Sequence, residues 1–237
     1  MKKYRVFLFD LDRTLWDFEA NAHDSVISLL HHFQLNDKVG DVEEFYRLYT
    51  SHNLRLWDEY EKGVLSQSVL RSLRFDVTLQ EFGIQDSELA SKFGEAYLEK
   101  MPTCTALMPH AKEVLEYLHM NGCRMAILSN GFKQVQYTKL ERSGIRDFFQ
   151  HVFISEEVGV HKPHPEIFRA ALSAFNDPKS ECLMVGDDFA KDIEGAQVFG
   201  IDQFYYNPHH IPCNGGPTYE SDTLLDLKHL LLHSTNH

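Results

Sequence analysis

Short apolar runs recur along the chain, and each of them ends in a polar residue or a turn. The run at residues 6–9 ends at Asp10, similar runs occupy residues 125–128, 152–154 and 182–185, and residues 203–206 form a further candidate. Such runs are typical of buried strands in a parallel sheet. The pattern therefore predicts a sheet whose central strands are covered on both faces.

Helical patterns separate these strands from the second run onward. They cover residues 109–120, 132–142, 165–175 and 188–199, and Gly122, Gly144 and Gly200 stand where three of them stop. Glycine just past the last helical residue is a common helix stop. Alternating strands and helices predict a doubly wound, Rossmann-like α/β fold. Residues 207–220, rich in proline and glycine, are predicted to be a surface loop.

The connection between the first two strands has a different pattern. Residues 17–99 show no strand signal, and helical patterns cover residues 20–33, 41–61, 66–82 and 86–100. A compact α/β domain does not need so long a connection. We therefore predict an inserted all-helical cap domain at residues 16–100, with residues 1–15 and 101–237 forming the α/β catalytic core.

The composition and charge of the chain limit the classes of molecule that it can bind. The chain has 237 residues and a formal net charge of -12, a surface that repels nucleic-acid backbones and anionic membranes. A small anionic substrate is still possible, but a local cation such as a metal ion or a lysine must then neutralise its charge, because the net charge of the protein opposes its binding. The four cysteines are scattered, and no apolar stretch reaches membrane-spanning length. The chain is therefore expected to be cytoplasmic, and its sequence carries no signal for oligomeric state.

Polar residues that can carry chemistry follow the predicted strands. In open parallel sheets, ligands bind at the carboxyl ends of the strands. The residues near those ends are Asp10, Asp12, Thr14, Ser129, Asn130, Gly131, Lys162, Asp187, Asp188 and Asp192. A single acid after a strand is usually a helix cap, and a single lysine is usually solvated. Their joint occurrence along one sheet edge favours a catalytic site.

The residue types at this edge suit phosphoryl transfer. Several carboxylates gathered at one point need a cation to stay ionised, and oxygen ligands beside phosphate favour Mg²⁺. An aspartate can attack phosphorus and form an aspartyl-phosphate, and an acid two residues further on can protonate the leaving oxygen. Ser129, Lys162 and backbone amides can donate to the phosphoryl oxygens.

The whole set resembles the haloacid dehalogenase superfamily of phosphatases. Asp10-Leu11-Asp12-Arg13-Thr14 matches its D-x-D-x-T motif, and Ser129, Lys162 and Gly186-Asp187-Asp188 with Asp192 match its later motifs. The resemblance implies that Asp10 is the nucleophile and Asp12 the acid/base. It also implies Mg²⁺ held by Asp10, by the backbone carbonyl of Asp12 and by Asp187, with Asp188 and Asp192 as open candidates for a further ligand or an orienting group.

Arg13 departs from that pattern, because glycine is frequent at its position in the superfamily. Two interpretations stay open for it. Arg13 supplies an extra cation near the substrate entrance, or its side chain turns to solvent.

A narrower resemblance concerns the substrate. The cap segment Leu56-Trp57-Asp58-Glu59-Tyr60 and the segment Asn130-Gly131-Phe132 are similar to YjjG/YfnB-type pyrimidine 5′-nucleotidases. This implies a pyrimidine nucleoside 5′-monophosphate as substrate. The candidates for binding its phosphate are Ser129, Asn130, Gly131 and Lys162. Trp57, Arg74 and Phe132 are candidates for contacts with a base or sugar, although an aromatic residue at helical spacing is more often part of a core.

Rival functions differ in what they require. A sugar-phosphate or N-acylneuraminate-phosphate phosphatase would use the same core. A carbon–halogen dehalogenase would need neither an acid at Asp12 nor a metal. A non-catalytic phosphoacceptor domain would have no use for an inserted cap. We expect a Mg²⁺-dependent phosphomonoester hydrolase that acts on a small phosphorylated metabolite through an aspartyl-phosphate.

Overall fold

The structure is a computed structural model, and it describes residues 4–232. Within that range, a parallel sheet has the strand order β3-β2-β1-β4-β5-β6. Its strands are β1 (Val6–Phe9), β2 (Arg124–Ser129), β3 (His151–Ile154), β4 (Cys182–Gly186), β5 (Asp202–Tyr206) and β6 (Tyr219–Ser221). This order is that of a doubly wound sheet, so the predicted fold is confirmed.

Helices flank the sheet and fill the connection after β1. The α-helices are α1 (Phe18–His32), α2 (Asn36–Val39), α3 (Val42–Glu61), α4 (Gln67–Glu81), α5 (Ser87–Lys100), α6 (Ala111–Met120), α7 (Lys133–Arg142), α8 (Ser155–Val158), α9 (Pro165–Ser173), α10 (Gly195–Phe199) and α11 (Asp226–Leu232). Short 3₁₀ turns lie at Met101–Thr103, Arg146–Phe148 and Lys179–Glu181, and a π-helical turn at Phe189–Glu194. Among the residues described, none of these helices combines the length and apolarity needed to cross a bilayer.

The central strand β1 explains where the site forms. All of its residues are buried, and it pairs with β2 on one side and β4 on the other. Leu8 packs with Leu128, Met184 and Phe168 in the core beneath α9. The chain winds in opposite directions from β1, so the crevice at its carboxyl end is the topological switch point where such folds bind ligands.

The structure corrects two element predictions. Residues 219 and 220, expected to lie in a surface loop, belong to β6, which adds to the sheet edge beside β5. Tyr4 stabilises this edge, because its hydroxyl donates to Asp202 at 2.7 Å and lies 3.3 Å from the hydroxyl of Tyr219. The predicted helix at 188–199 also begins differently, with the π-helical turn preceding α10.

Residue contacts divide the chain into two compact units. One comprises Met1–Phe18 and Thr105–His237, and the other comprises Glu19–Cys104. The second unit, here called the cap unit, is helical, and side chains cap its main helices: Asp41 accepts from the backbone of Glu43 at 3.0 Å, and Asp86 from that of Leu89 at 2.9 Å. Stacked or tilted rings of Phe45, Tyr49, Phe75, Phe93 and Tyr97 form its core.

Candidate active site

Asp10 stands at the carboxyl end of β1. Its amide donates to Val185 on β4 at 2.9 Å, so the backbone stays in the sheet up to this residue. Leu11 is buried, as the alternation of side chains at a strand end predicts. Asp10 itself is nearly buried, while Asp12 is half-buried. The strand therefore presents both acids at the switch point and keeps the apolar residue between them inside.

Lys162 connects the ends of several strands. Its ammonium nitrogen lies 2.6 Å from Oδ1 of Asp10, 2.7 Å from Oδ1 of Asp192 and 2.8 Å from the carbonyl of Leu128. Only 3% of the residue is exposed. Burial by itself would lower the pKa of Lys162, but the charges of Asp10 and Asp192 outweigh it and raise that pKa. The lysine is therefore a fixed, permanently charged centre.

Asn130 holds the backbone of Lys162. Its side-chain oxygen accepts from the amide of Lys162 at 2.8 Å, and its side-chain nitrogen donates to the carbonyl of Lys162 at 3.0 Å. Both ends of the carboxamide are thus engaged with one residue on a different loop. In this structure the side chain of Asn130, a predicted phosphate contact, serves to place the lysine.

Three carboxylates converge at the carboxyl ends of β1 and β4. Oxygen atoms of Asp10, Asp187 and Asp192 all lie within 4.8 Å of one another. Burial and the charges of its neighbours raise the pKa of Asp187 well above its ordinary value, and burial raises the pKa of Asp192 to about 7. Burial also raises the pKa of Asp10, and Lys162 offsets part of that rise. Thr14, from the loop after β1, donates to Asp187 at 3.1 Å and so orients it.

This group suits a divalent cation. Its donors are carboxylate oxygens, the ligands that Mg²⁺ prefers. Burial is the main cause that raises the pKa of each of these acids, and the excess of negative charge among them adds to the rise. A divalent ion would remove that excess, so the residues present fit Mg²⁺.

Asp188 is placed differently from its neighbours. Its carboxylate accepts from the backbone of Lys191 at 3.0 Å and pairs with the ammonium of Lys191 at 3.4 Å. It therefore caps the turn that follows β4. Of the two acids that the sequence left open, the structure gathers Asp192, and not Asp188, with Asp10 and Asp187.

Asp12 is held by two residues that the sequence analysis did not select. Nζ of Lys139 lies 2.5 Å from its Oδ1, and Nε2 of Gln136 donates to its Oδ2 at 2.8 Å. The same Nε2 donates to the hydroxyl of Ser129 at 2.8 Å, and that hydroxyl accepts from the amide of Gly131 at 3.1 Å. The predicted helix at 132–142 carried one signal for these residues, because Gln136 and Lys139 lie on the same helix face as the apolar Leu140, and all three are buried in the structure.

Two glycines make room for these contacts. A Cβ added to Gly131 would collide with the side chain of Gln136, and one added to Gly186 would collide with that of Asp192. Each glycine therefore leaves space for a buried side chain that approaches it closely.

Arg13 has an unusual backbone. Its φ of 66° lies in the left-handed region, where glycine is favoured, and its guanidinium stands 4.4 Å from the ring centre of Phe18. The charge of Arg13 also lowers the pKa of Asp187, although burial and neighbouring acids dominate. Arg13 thus acts on the site electrostatically while packing against an aromatic ring.

The predicted substrate-contact residues Phe132, Trp57 and Arg74 differ in burial and in the unit that carries them. Phe132 is buried at the start of α7. Trp57, in the cap unit, is half-buried and meets the ring of Tyr60 edge-on at 5.5 Å. Arg74, also in the cap unit, is 2% exposed, donates to Asn53 at 3.0 Å and stands over the ring of Tyr97. Arg74 therefore belongs to the cap core, and its role in substrate binding stays a prediction.

A doubly wound sheet with an acid group and a buried lysine at its switch point defines an α/β enzyme. The chain belongs to the haloacid dehalogenase-like hydrolase family, whose model matches residues 4–200. The resemblance predicted from the motifs is thereby confirmed, as is the prediction of an enzyme.

Individual relatives cover nearly the whole chain. The pyrimidine 5′-nucleotidase YjjG of Escherichia coli is 33% identical over 232 residues, 97% of this chain and 98% of that protein. A glyceraldehyde 3-phosphate phosphatase of Pyrococcus abyssi is 33% identical over 209 residues, 85% of this chain and 81% of that protein. The crystal structure of the HAD-hydrolase YfnB from Bacillus subtilis, bound to magnesium, has a TM-score of 0.86 at 28% identity and covers 98% of this chain and 100% of that one.

Proposed function

We propose that this hydrolase is a Mg²⁺-dependent phosphomonoesterase that works through an aspartyl-phosphate on Asp10. The observation that carries the proposal is the approach of Asp10, Asp187 and Asp192 to one another, with the ammonium group of Lys162 in contact with Asp10 and Asp192. A nucleophilic carboxylate, a fixed cation and a carboxylate set for a divalent ion are the parts that phosphoryl transfer requires.

Asp10, Asp187 and Asp192 would hold the ion, together with the backbone carbonyl of Asp12. When bound, Mg²⁺ supplies positive charge that shields the phosphoryl oxygens and keeps the carboxylates ionised.

The protein's own residues account for both halves of the reaction. A carboxylate oxygen of Asp10 attacks phosphorus while the bond to the leaving oxygen breaks, and Asp12 gives its proton to that oxygen. Water then attacks the aspartyl-phosphate, Asp12 takes a proton from the water, and phosphate leaves Asp10 as a free carboxylate. Lys162 neutralises charge beside the phosphoryl group throughout. The hydroxyl of Ser129, which accepts from Gln136 and from the amide of Gly131, would donate its own hydrogen to a phosphoryl oxygen.

The test is phosphate release from 4-nitrophenyl phosphate with Mg²⁺, with EDTA, and with Asp10→Asn. We expect EDTA and the substitution each to abolish turnover, while Asp222→Asn, an exposed acid paired with His210, retains it. Full turnover by Asp10→Asn would exclude Asp10 as the nucleophile. Release of halide from a 2-haloacid, with no release of phosphate, would instead support the dehalogenase alternative.

For the substrate, we infer a pyrimidine nucleoside 5′-monophosphate. The support is the likeness to YjjG, which extends over nearly all of both chains and so includes the cap unit. A small sugar phosphate is the second candidate, favoured by the likeness to the glyceraldehyde 3-phosphate phosphatase. Values of kcat/KM for pyrimidine and purine 5′-monophosphates, ribose 5-phosphate and glyceraldehyde 3-phosphate separate the two. A preference of at least tenfold for a sugar phosphate would rule out the nucleotide assignment.

We place the enzyme in the cytoplasm, because the scattered spacing of its four cysteines predicts no disulfide framework. Its proposed partner is the small phosphorylated substrate.

A further inference from the structure

The inward face of α7 carries two polar residues one helical turn apart, and both of them contact Asp12. Lys139 approaches Oδ1 of Asp12 at 2.5 Å, and Gln136 donates to Oδ2 at 2.8 Å. Residues three apart on a helix lie on the same face, so this geometry follows directly from their spacing. Each carboxylate oxygen of Asp12 thus has one fixed partner and one remaining lone pair.

Lys139 is a costly residue to bury. It is 1% exposed, and its ammonium lies 4.3 Å from the ring centre of Trp16 and 5.5 Å from that of Phe18. Burial lowers the pKa of Lys139 in spite of the neighbouring Asp12. A methionine would occupy the same space without the desolvation penalty, and replacing buried ion pairs with apolar residues is often neutral or stabilising. Fold stability alone therefore does not account for a lysine here.

Gln136 connects two functional side chains through a single nitrogen. Its two amide hydrogens go to Asp12 and to the hydroxyl of Ser129, at 2.8 Å each. The absence of a side chain at Gly131 makes the position of this amide possible. Asp12 and Ser129, which come from different loops, are therefore held at a fixed separation by α7.

We propose that Gln136 and Lys139 are positioning residues that fix the carboxyl group of Asp12 for proton transfer. The proposal rests on the proposed function of Asp12 as acid/base. In the first step the proton passes from Asp12 to the leaving oxygen as its bond to phosphorus breaks, and the carboxylate left behind keeps both partners. Neither Gln136 nor Lys139 exchanges a proton or contacts the reacting atoms in this scheme.

Comparing two leaving groups distinguishes a positioning role from a merely structural one, because a structural defect would lower kcat/KM equally for both substrates. A nucleoside 5′-alkoxide needs a proton to leave, whereas 4-nitrophenolate leaves almost without one. Since kcat/KM reports the step up to release of the first product, it isolates the proton transfer to the leaving oxygen. The experiment compares kcat/KM for a pyrimidine nucleoside 5′-monophosphate and for 4-nitrophenyl phosphate in Lys139→Met, Gln136→Met and Lys139→Arg.

We expect Lys139→Met to lower kcat/KM about 100-fold for the nucleotide, the lower end of what general acid catalysis contributes, and about 10-fold or less for the aryl ester. Gln136→Met should show the same selectivity to a smaller degree, and Lys139→Arg should recover part of the nucleotide activity. Lys133→Met is the matched control, because Lys133 begins the same helix, is exposed and pairs with Glu157. It should leave both rates unchanged.

Equal losses on the two substrates, or no loss in Lys139→Met, would overturn the proposal. Asp12→Asn separates this failure from failure of the proposed function. Suppose that Asp12→Asn lowers kcat/KM more for the nucleotide than for the aryl ester, while Lys139→Met and Gln136→Met do not. In that case only the positioning role is wrong. If Asp12→Asn itself shows no selectivity, the acid role of Asp12 is wrong and the positioning role falls with it. Thermal unfolding shows whether each variant is folded. If Lys139→Met is misfolded, the kcat/KM values of Gln136→Met decide whether the positioning role is correct.

Discussion

The ammonium group of Lys162 lies 2.6 Å from Oδ1 of Asp10, although 152 positions separate the two residues. The same group contacts Asp192 at 2.7 Å, and it is the nearest fixed positive charge to two of the three gathered acids. Because all of these groups are buried or half-buried, the energy of their interaction is screened only weakly by water. The lysine should therefore support both the fold and the chemistry.

We expect Lys162→Met to lose at least 100-fold in kcat and to lower the free energy of unfolding by about 3–5 kcal/mol, the usual effect of removing one partner of a buried ion pair. The activity assay and urea unfolding at neutral pH measure the two effects. Lys92→Met, which removes an exposed pair with Glu88, should leave the free energy of unfolding nearly unchanged. Equal stability of Lys162→Met and the wild type would show that the buried acids do not depend on this cation.

Mg²⁺ should stabilise the protein more at high pH than at low pH. Burial raises the pKa of Asp192 from 3.8 to about 7 when no metal is present, so between these values the folded state binds more protons than the unfolded state. The stability of the metal-free protein therefore falls as pH rises through this window, and Mg²⁺, which binds the ionised acids, reverses the loss.

Thermal unfolding with EDTA and with saturating Mg²⁺, at about pH 5.5 and pH 8, measures this linkage. At 100 times its Kd, Mg²⁺ adds about 2.7 kcal/mol, or roughly 5–10 °C in Tm for a chain of this size, and this gain should be seen at the higher pH. Protonated acids bind the ion poorly, so the gain should shrink at the lower pH. A gain that is equal or larger at pH 5.5 would contradict the assignment of these carboxylates as the metal ligands.

The sequence predicts the central part of this structure well, and the reason is physical. Strand β1 is observed at Val6–Phe9, where it was predicted, because a buried strand must be apolar along its whole length. The acids that follow it are visible for the same reason, since a charge directly after such a run marks the strand end. The fold class and the places of Asp10 and Asp187 at strand ends therefore follow from local pattern.

What the sequence did not reveal depends on contacts between distant segments. Strand β6 has no apolar pattern of its own and exists through its pairing with β5. Lys139 resembles an ordinary surface lysine in sequence, and its function depends on Asp12, 127 positions away. Asp188 and Asp192 are both acids of one short segment, and only the π-helical turn between β4 and α10 decides which of them meets Asp10.

Gly131→Ala should disturb the contacts of Gln136. The added Cβ would meet the side chain of Gln136, and forcing extra volume into such a place costs about 1–3 kcal/mol of stability. The displaced amide would also release Asp12 and Ser129, so activity should fall. Gly216→Ala is the control, because a Cβ there meets nothing within 4 Å.

A double-mutant cycle identifies the cause of that effect. In a Gln136→Ala background the colliding atoms are absent, so Gly131→Ala should cost less than in the wild type, with a coupling of about 1 kcal/mol measured by urea unfolding. Strictly additive effects of the two substitutions would show that Gly131 is required for another reason.

Arg13 offers a test of backbone strain at the active site. Its φ of 66° costs a residue with a Cβ about 1–2 kcal/mol, and glycine escapes this cost. Arg13→Gly and Arg13→Ala both lose the contact with Phe18, so the difference between them reflects the backbone alone. Glycine has the more flexible unfolded state, which offsets about 0.5–1 kcal/mol of its advantage. We therefore expect the glycine variant to be the more stable by about 0.5–1 kcal/mol in urea unfolding.

At Arg55, in the interior of α3, the same pair of substitutions should give the opposite order, because alanine is favoured over glycine in helices. An alanine variant more stable than the glycine variant at position 13 would show that the left-handed conformation is not maintained in solution.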